Sequence, residues 1–182
     1  MILNSDLMLY HPLWERADDE LCAKDGLGIF NRLIDVFVLA CAIGIREDKI
    51  VTEIEEKDVS PKKTIGRNTY SSLNNTNLRD LLDFMLQNAL LNSSTIYFNI
   101  DERLKLAFDP DYTIPKFSAT AFLIGFANYG IEQIFEHVNS KSPLVVLDEL
   151  HTYFESFAGV DVEELLKNFT LEEIIKSGIE EE

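Results

Sequence analysis

The chain has 182 residues, the length of one ordinary domain. Apolar residues make up 46% and charged residues 26%, which excludes a disordered or fibrous chain and leaves enough apolar material for a core. Thirty-two acidic residues against 16 basic ones give a net charge of −16, a field that repels phosphate and anionic lipid and argues against ordinary DNA, RNA or membrane-surface binding.

Cys22 and Cys41 are the only cysteines, and Cys41 lies inside an apolar run, so the expectation is two reduced thiols in a reducing compartment rather than a disulfide framework. Asp6 and His11 interrupt the first apolar residues and no basic region precedes them, so no signal peptide is expected and the protein is read as cytoplasmic. The longest uncharged apolar run, residues 36–45, is about half of the ~20 residues that span a bilayer, so no transmembrane helix is expected. Glycosylation-type patterns at Asn74, Asn92 and Asn168 carry no consequence without secretion.

In chain order, residues 15–24 carry Ala17, Leu21 and Cys22 among acidic residues and suggest a short first helix that stops at the glycines of Gly26 and Gly28. From 29 to 43 the positions Ile29, Phe30, Leu33, Ile34, Phe37, Val38, Ala40 and Cys41 recur at helical spacing, with Gly44 as the natural stop. That segment is nearly apolar in its second half and is expected to be the central buried helix. Residues 50–54 alternate loosely, as a short strand would, and 55–77 reads as a long polar, mobile loop around Ser60-Pro61 and Gly66. A helix is predicted near 78–91, capped by Thr76 or Asn77, through Leu81, Leu82, Phe84, Met85 and Ala89. Residues 96–100 look like a strand, although 101–106 could equally continue as a helical turn. Ser118 caps a helix over 119–138, in which Gly125 and Gly130 either bend the axis or admit a close helix contact. Ser142-Pro143 opens a further amphipathic helix over 143–157. Capping-box spacings at Asp161 and Thr170 predict two short helices in an acidic segment near 160–182; residues 132–182 hold 13 acidic and 3 basic side chains, more than half of the net charge. The expected architecture is therefore mainly α: a single-domain helical bundle over 1–182 with a minor β element.

Chemistry-bearing groupings are few. Asp148, His151 and Glu155 are spaced i, i+3 and i, i+4 on one predicted helix face and could ligate a divalent metal, but a solvated polar face accounts for them more simply. Glu132, Glu136 and His137 are a poorer variant, since His137 adjoins Glu136 and faces elsewhere. Asp109-Pro110-Asp111 reads as turn chemistry. Cys41 is expected to be an inert core thiol with a raised pKa, and neither a nucleophile elbow nor a completed phosphate-binding glycine pattern occurs. No catalytic residue and no cofactor are assigned.

For binding, Lys62, Lys63 and Arg67 form the one basic concentration, next to Tyr70. They could meet a phosphate backbone or an acidic partner, or pair with the chain's own acidic tail. Glu163, Glu164, Glu172 and Glu173 form the matching acidic candidate surface. Trp14, among Tyr10, Pro12 and Leu13, is either an exposed anchor or an arm tucked against the core, with the core favoured.

With those residues in view, Asp25-Gly26-Leu27-Gly28-Ile29-Phe30 leading into residues 32–44, together with Ala127-Asn128-Tyr129-Gly130-Ile131-Glu132 and Ile134, resembles small accessory proteins of bacterial DNA phosphorothioation (Dnd-type) modification and restriction systems. The resemblance covers roughly a fifth of the chain, mostly apolar helix positions. It implies a compact helical accessory protein without a catalytic residue to carry over, and the strong acidity departs from what direct DNA readout needs. The expected function is accordingly a non-enzymatic adaptor of a bacterial or phage defence-related system. It would hold a protein partner, most simply a basic one, through the acidic segment or the 55–77 loop, with self-association left open. The alternatives are an acidic DNA mimic that inhibits a DNA-binding protein and a metal-dependent hydrolase around His151.

Overall fold

The computed structural model describes residue 3 and residues 5–22, 26–52, 60–71, 76–138 and 142–158. The acidic segment near 160–182 and parts of the 55–77 stretch lie outside the described residues. The fold is mainly α, with seven α-helices and one two-stranded antiparallel sheet among the described residues. Strand β1 (Leu7–Leu9) is followed by α1 (Leu13–Arg16), which runs on as a π-helical turn over Ala17–Cys22. After α2 (Leu33–Glu47) come β2 (Lys63–Ile65), α3 (Arg67–Ser71), α4 (Thr76–Asn92), α5 (Ile100–Phe108), α6 (Ala119–His137) and α7 (Pro143–Ala158). No helix among the described residues is long and apolar enough to cross a membrane.

The centre is the antiparallel pair α2 and α6. Seven residues of α2 are buried, including Ile34, Phe37, Ala40 and Cys41, and the α6 stretch 122–128 is buried throughout. Two glycines set the spacing. A Cβ on Gly44 would collide with the Phe126 backbone of α6, and a Cβ on Gly130 would collide with the Ala40 backbone of α2. Each helix therefore carries a notch four residues along from the point where it fills the other's, so the two backbones touch without intervening side chains. Of the two roles the sequence leaves open for Gly130, close contact is the observed one.

Gly44 is not the helix stop expected for it. Helix α2 starts at Leu33 rather than Ile29 and continues to Glu47, where Asp48 adopts the left-handed conformation (φ 53°). The Asp48 N–H donates to the Ile45 carbonyl and the Lys49 N–H to the Gly44 carbonyl, a Schellman closure with aspartate where glycine is usual. The Asp48 carboxylate then accepts from the Ser93 hydroxyl (2.5 Å) and the Ser94 N–H (2.8 Å), fixing the end of α4 to the end of α2.

Three further expectations change. The 55–77 stretch is not one long loop: β2 and α3 lie inside it, and β2 pairs with β1 in the register Leu7↔Ile65, Met8↔Thr64, Leu9↔Lys63. Residues 50–52 form no strand; the Val51 N–H instead donates to the Gly125 carbonyl of α6. Of the two readings left open after Ile96, the helical one holds, because Asn99 and Glu102 form a reciprocal capping box that starts α5 at Ile100. The predicted helices near 78–91, 119–138 and 143–157 stand within about two residues, and the Ser118 hydroxyl caps α6 by accepting from the Ala121 N–H.

Helix α5 packs on α4 in antiparallel fashion. Gln87 Nε2 donates to the Ala107 carbonyl (3.1 Å), while the Arg103 guanidinium donates to the carbonyls of Leu91 (3.2 Å), Ser93 (2.9 Å), Phe98 (2.9 Å) and Ile96. One cation thereby closes the entire 91–98 connection. Trp14 is fully buried against Phe37, with ring centroids 5.7 Å apart, as the core reading expected.

Candidate functional site

The basic residues near β2 face the chain's own acidic N-terminal segment. Lys63 Nζ sits 2.7 Å from Asp18 and 3.8 Å from Asp19, and the hydrogen bond to Asp18 raises its pKa. The Arg67 backbone N–H donates to Asp6 (2.7 Å), and the Lys62 N–H donates to the Leu9 carbonyl (2.8 Å) while its side chain is exposed. Tyr70 does not stand on the surface as the binding reading requires. It is fully buried, with its hydroxyl donating to the Ser5 carbonyl, so it anchors α3 to the segment before β1. Glu163, Glu164, Glu172 and Glu173 lie outside the described residues.

The structure does not gather the metal candidates into a centre. Asp148 and His151 are exposed on α7, and the side chain of Glu155 is outside the described set. Among the described residues no group of three or more His, Cys, Asp and Glu side chains could hold a metal ion. Glu132 pairs with His11 Nε2 at 3.0 Å, and His137 Nδ1 bonds the Gln133 carbonyl (2.9 Å) while its ring stacks on Tyr153 at 4.1 Å. Asp109 accepts from the Asp111 N–H at 3.0 Å, which is turn chemistry. Both cysteines are free thiols: burial pushes the Cys41 pKa well up, and burial together with Asp18 pushes Cys22 up to about 11. Neither has the lowered pKa of an activated nucleophile.

A polar cluster joining three helices was invisible in the sequence. Glu47, at the last turn of α2, accepts from the Tyr129 hydroxyl of α6 (2.6 Å), the Tyr153 hydroxyl of α7 (3.2 Å) and Lys49 Nζ (3.2 Å). Lys49 also donates to the Tyr129 hydroxyl (3.1 Å) and lies 5.1 Å from the centre of its ring. The Tyr129 hydrogen bond leads in holding the Glu47 carboxyl below its ordinary range, while burial and then the Glu47 charge push Tyr153 up. An ionised acceptor between two protonated phenols is a pin for three helices, not an acid–base pair with pKa values near neutrality. Tyr129 and Tyr153 were legible only as apolar helix positions; the missing signal was a helix-end glutamate for their hydroxyls to reach.

Concavities also mark the described surface. A groove of about 440 Å³ lies between Met8 and Tyr10 on one side and Thr120, Ala121 and Ile124 of α6 on the other, with Asn128 at its edge. Both polar atoms of the Asn128 amide are hydrogen-bonded there: its oxygen accepts from Trp14 Nε1 (2.8 Å) and its nitrogen donates to the Val51 carbonyl (3.2 Å). A smaller hollow of about 270 Å³ beside Asp48 and Asn88 is occupied at its acidic end by the Asp48–Ser93 bond.

What the structure leaves open is apolar. Phe84 of α4 is 63% exposed, Tyr97 96%, and Ile100, Leu104 and Phe108 of α5 are 60%, 43% and 60% exposed. Leu144, Val145 and Leu147 at the start of α7 are exposed as well. Helix α5 packs on α4 through Arg103 and Ala107 and leaves its Ile100–Leu104–Phe108 stripe outward.

No family model, curated protein or solved structure matches the chain.

Proposed function

We propose that the protein is a non-enzymatic accessory subunit that acts by holding a basic protein partner, in the manner its resemblance to phosphorothioation-locus accessory proteins implies. The observation that carries this reading is the distribution of charge. The chain is −16, and six of its eleven described cations already meet acceptors of the chain itself: Arg16 meets Glu20, Arg32 meets Asp35, Lys49 meets Glu47, Lys63 meets Asp18, Arg79 meets Asp80 and Arg103 meets backbone carbonyls. Phosphate binding requires cations that release counterions, and here those side chains would first have to give up their own acceptors. A basic protein surface meets no such cost and is drawn in by the same field. The upward-shifted thiols, Cys41 buried and Cys22 partly exposed, and the hydrogen-bonded Asn128 and Glu47 favour a binding role over catalysis.

The test is co-purification of the full chain with proteins of its own host at 50 and 500 mM salt, beside titration with a duplex DNA fragment. The reading expects a stoichiometric basic partner that dissociates at high salt, and no DNA shift. Direct DNA binding at low salt, or a complex indifferent to salt, overturns it. If the partner is itself a DNA-binding protein and DNA displaces the chain from it, the acidic surface acts as a DNA mimic.

A further inference from the structure

The groove between β1 and α6 lies beside an unpaired strand edge. Among the described residues β1 has one ladder neighbour, β2, so its other edge presents main-chain groups that no strand meets. The groove is lined by Asp6, Met8 and Tyr10, which alternate with the buried Leu7 and Leu9, and by no residue of β2. Leu7 and Leu9, which turn into the core, do not line it either. It therefore runs off the free edge of β1 rather than over or under the sheet, and the first turns of α6 form the facing wall. That wall offers the apolar side chains of Ala121 and Ile124 beside the hydroxyls of Ser118 and Thr120. Among the described lining residues Asp6 alone is charged; it is exposed, and one of its oxygens accepts from the Arg67 N–H while the carboxylate keeps further acceptor sites.

We infer that this groove takes an extended segment of a protein partner, with basic and apolar side chains in alternation, which adds a third strand to the sheet beside β1. The main chain of the segment pairs with the free edge of β1, and its second edge faces the Ser118 and Thr120 hydroxyls, so hydrogen-bonding groups meet it on both sides. Side chains of a strand alternate between its faces: one set packs on Ala121 and Ile124, and the other stands beside Met8 and Asp6, where a lysine or arginine meets the carboxylate. The charges do not favour a second copy of the chain as occupant, because antiparallel pairing of two β1 strands about Met8 sets Asp6 opposite Tyr10 and supplies no cation. A phosphate-bearing ligand would meet a carboxylate where it needs a cation. The inference rests on the basic partner proposed above for the charge of the segment, and it adds the place and the backbone conformation in which that partner is held.

The probe is the peptide acetyl-Lys-Val-Lys-Val-Lys-Val-amide, titrated into the full chain at low salt and read by the methyl resonances of Met8, Ala121 and Ile124, with Leu104 of α5, which does not line the groove, as the reference. A saturable shift of the three groove methyls with a Kd below about 2 mM is expected. The same peptide with every backbone amide N-methylated keeps its charge and loses its main-chain donors, and is expected to bind at least about tenfold more weakly. Asp6→Asn is expected to weaken the lysine peptide about threefold. Ala121→Trp puts a bulky ring in the groove and is expected to weaken it at least about tenfold, with circular dichroism and thermal melting confirming that each variant folds. No saturable shift, an N-methylated peptide that binds equally well, or an Asp6→Asn or Ala121→Trp chain that binds as the wild type does overturns the inference. The host partner separates this inference from the reading it rests on. A salt-sensitive basic partner held equally by wild type and Ala121→Trp overturns the groove assignment and leaves the accessory reading standing; saturable peptide binding by a chain that captures no host protein supports the groove and overturns the accessory reading.

Discussion

The Trp14 indole nitrogen donates to the side-chain oxygen of Asn128 at 2.8 Å, across 114 positions of sequence, inside a site where both residues are fully buried. The same amide donates to the Val51 carbonyl at 3.2 Å. One side chain thus joins α1, α6 and the segment after α2, and every polar group in the arrangement is paired only while all three are in place.

Asn128→Leu keeps the branched shape, adds volume, and leaves the buried Trp14 N–H and the part-buried Val51 carbonyl without their partner, so it is expected to cost about 2–4 kcal/mol. Trp14→Phe removes the donor and some packing, and the double variant is expected to be less damaging than the two single effects added together. Urea unfolding measures both. Trp14 is the only tryptophan, so its fluorescence reports the same site in the wild type and in Asn128→Leu. A loss below about 0.5 kcal/mol for Asn128→Leu contradicts the account.

The glycine notches make a sharper contrast. Gly44→Ala and Gly130→Ala each place a methyl group against a helix backbone that has no side chain to move aside, and each is expected to lower stability by about 3 kcal/mol or more, Gly130→Ala to the point of poor folding. Gly66 lies between β2 and α3 with open space around it, so Gly66→Ala is expected within about 0.5 kcal/mol of wild type. Equal effects at the three positions would refute the close α2–α6 approach.

Glu47 predicts a pH dependence with a definite sign. Its folded-state carboxyl is held below the ordinary glutamate value of about 4.3, chiefly by the Tyr129 hydroxyl, so its contribution to stability is complete above that value and is lost as pH falls through the lower folded value. Glu47→Gln keeps the shape but weakens the acceptor shared by Tyr129, Tyr153 and Lys49, at an expected cost of about 1–2 kcal/mol at pH 7. The gap between variant and wild type is expected to hold at neutral pH and to shrink below about pH 4, once the native glutamate is itself protonated. A gap that widens in acid contradicts the assignment.

Thiol accessibility separates the two cysteines. Cys22 is partly exposed with its pKa pushed up to about 11, so at pH 8 it is expected to react slowly with a disulfide reagent. Cys41 is enclosed between α2 and α6 and is expected to react only as the whole domain unfolds, at a rate that follows urea concentration. Rapid reaction of both thiols in the native protein would show that the α2–α6 interface opens readily.

Helices were legible where one local signal settled the matter: Ser118 before α6, Ser142-Pro143 before α7, and the 3.6-residue period of α4. They were misread where tertiary contact decides. Ile29 and Phe30 fit the period of α2 but precede it, and Gly44 has the chemistry of a stop yet sits inside the helix because α6 requires a notch there. The β1–β2 pair joins two three-residue strands more than fifty positions apart, each too short to stand out from its neighbours. The Glu47 cluster draws on α2, α6 and α7, so no window of sequence contains it. Tyr70 looked like a surface tyrosine beside cations because nothing local indicates that the Ser5 carbonyl lies above it.

The notch pair also bears on synthesis. Gly44 leaves the ribosome roughly 85 residues before Gly130, so at ~5–20 residues per second the apolar flank of α2 waits on the order of ten seconds for the one helix shaped to receive it. Through that interval the nascent chain displays Phe37, Ala40 and Ile43 with no native cover from α6, so this flank is the part of the growing chain most open to non-native apolar contact.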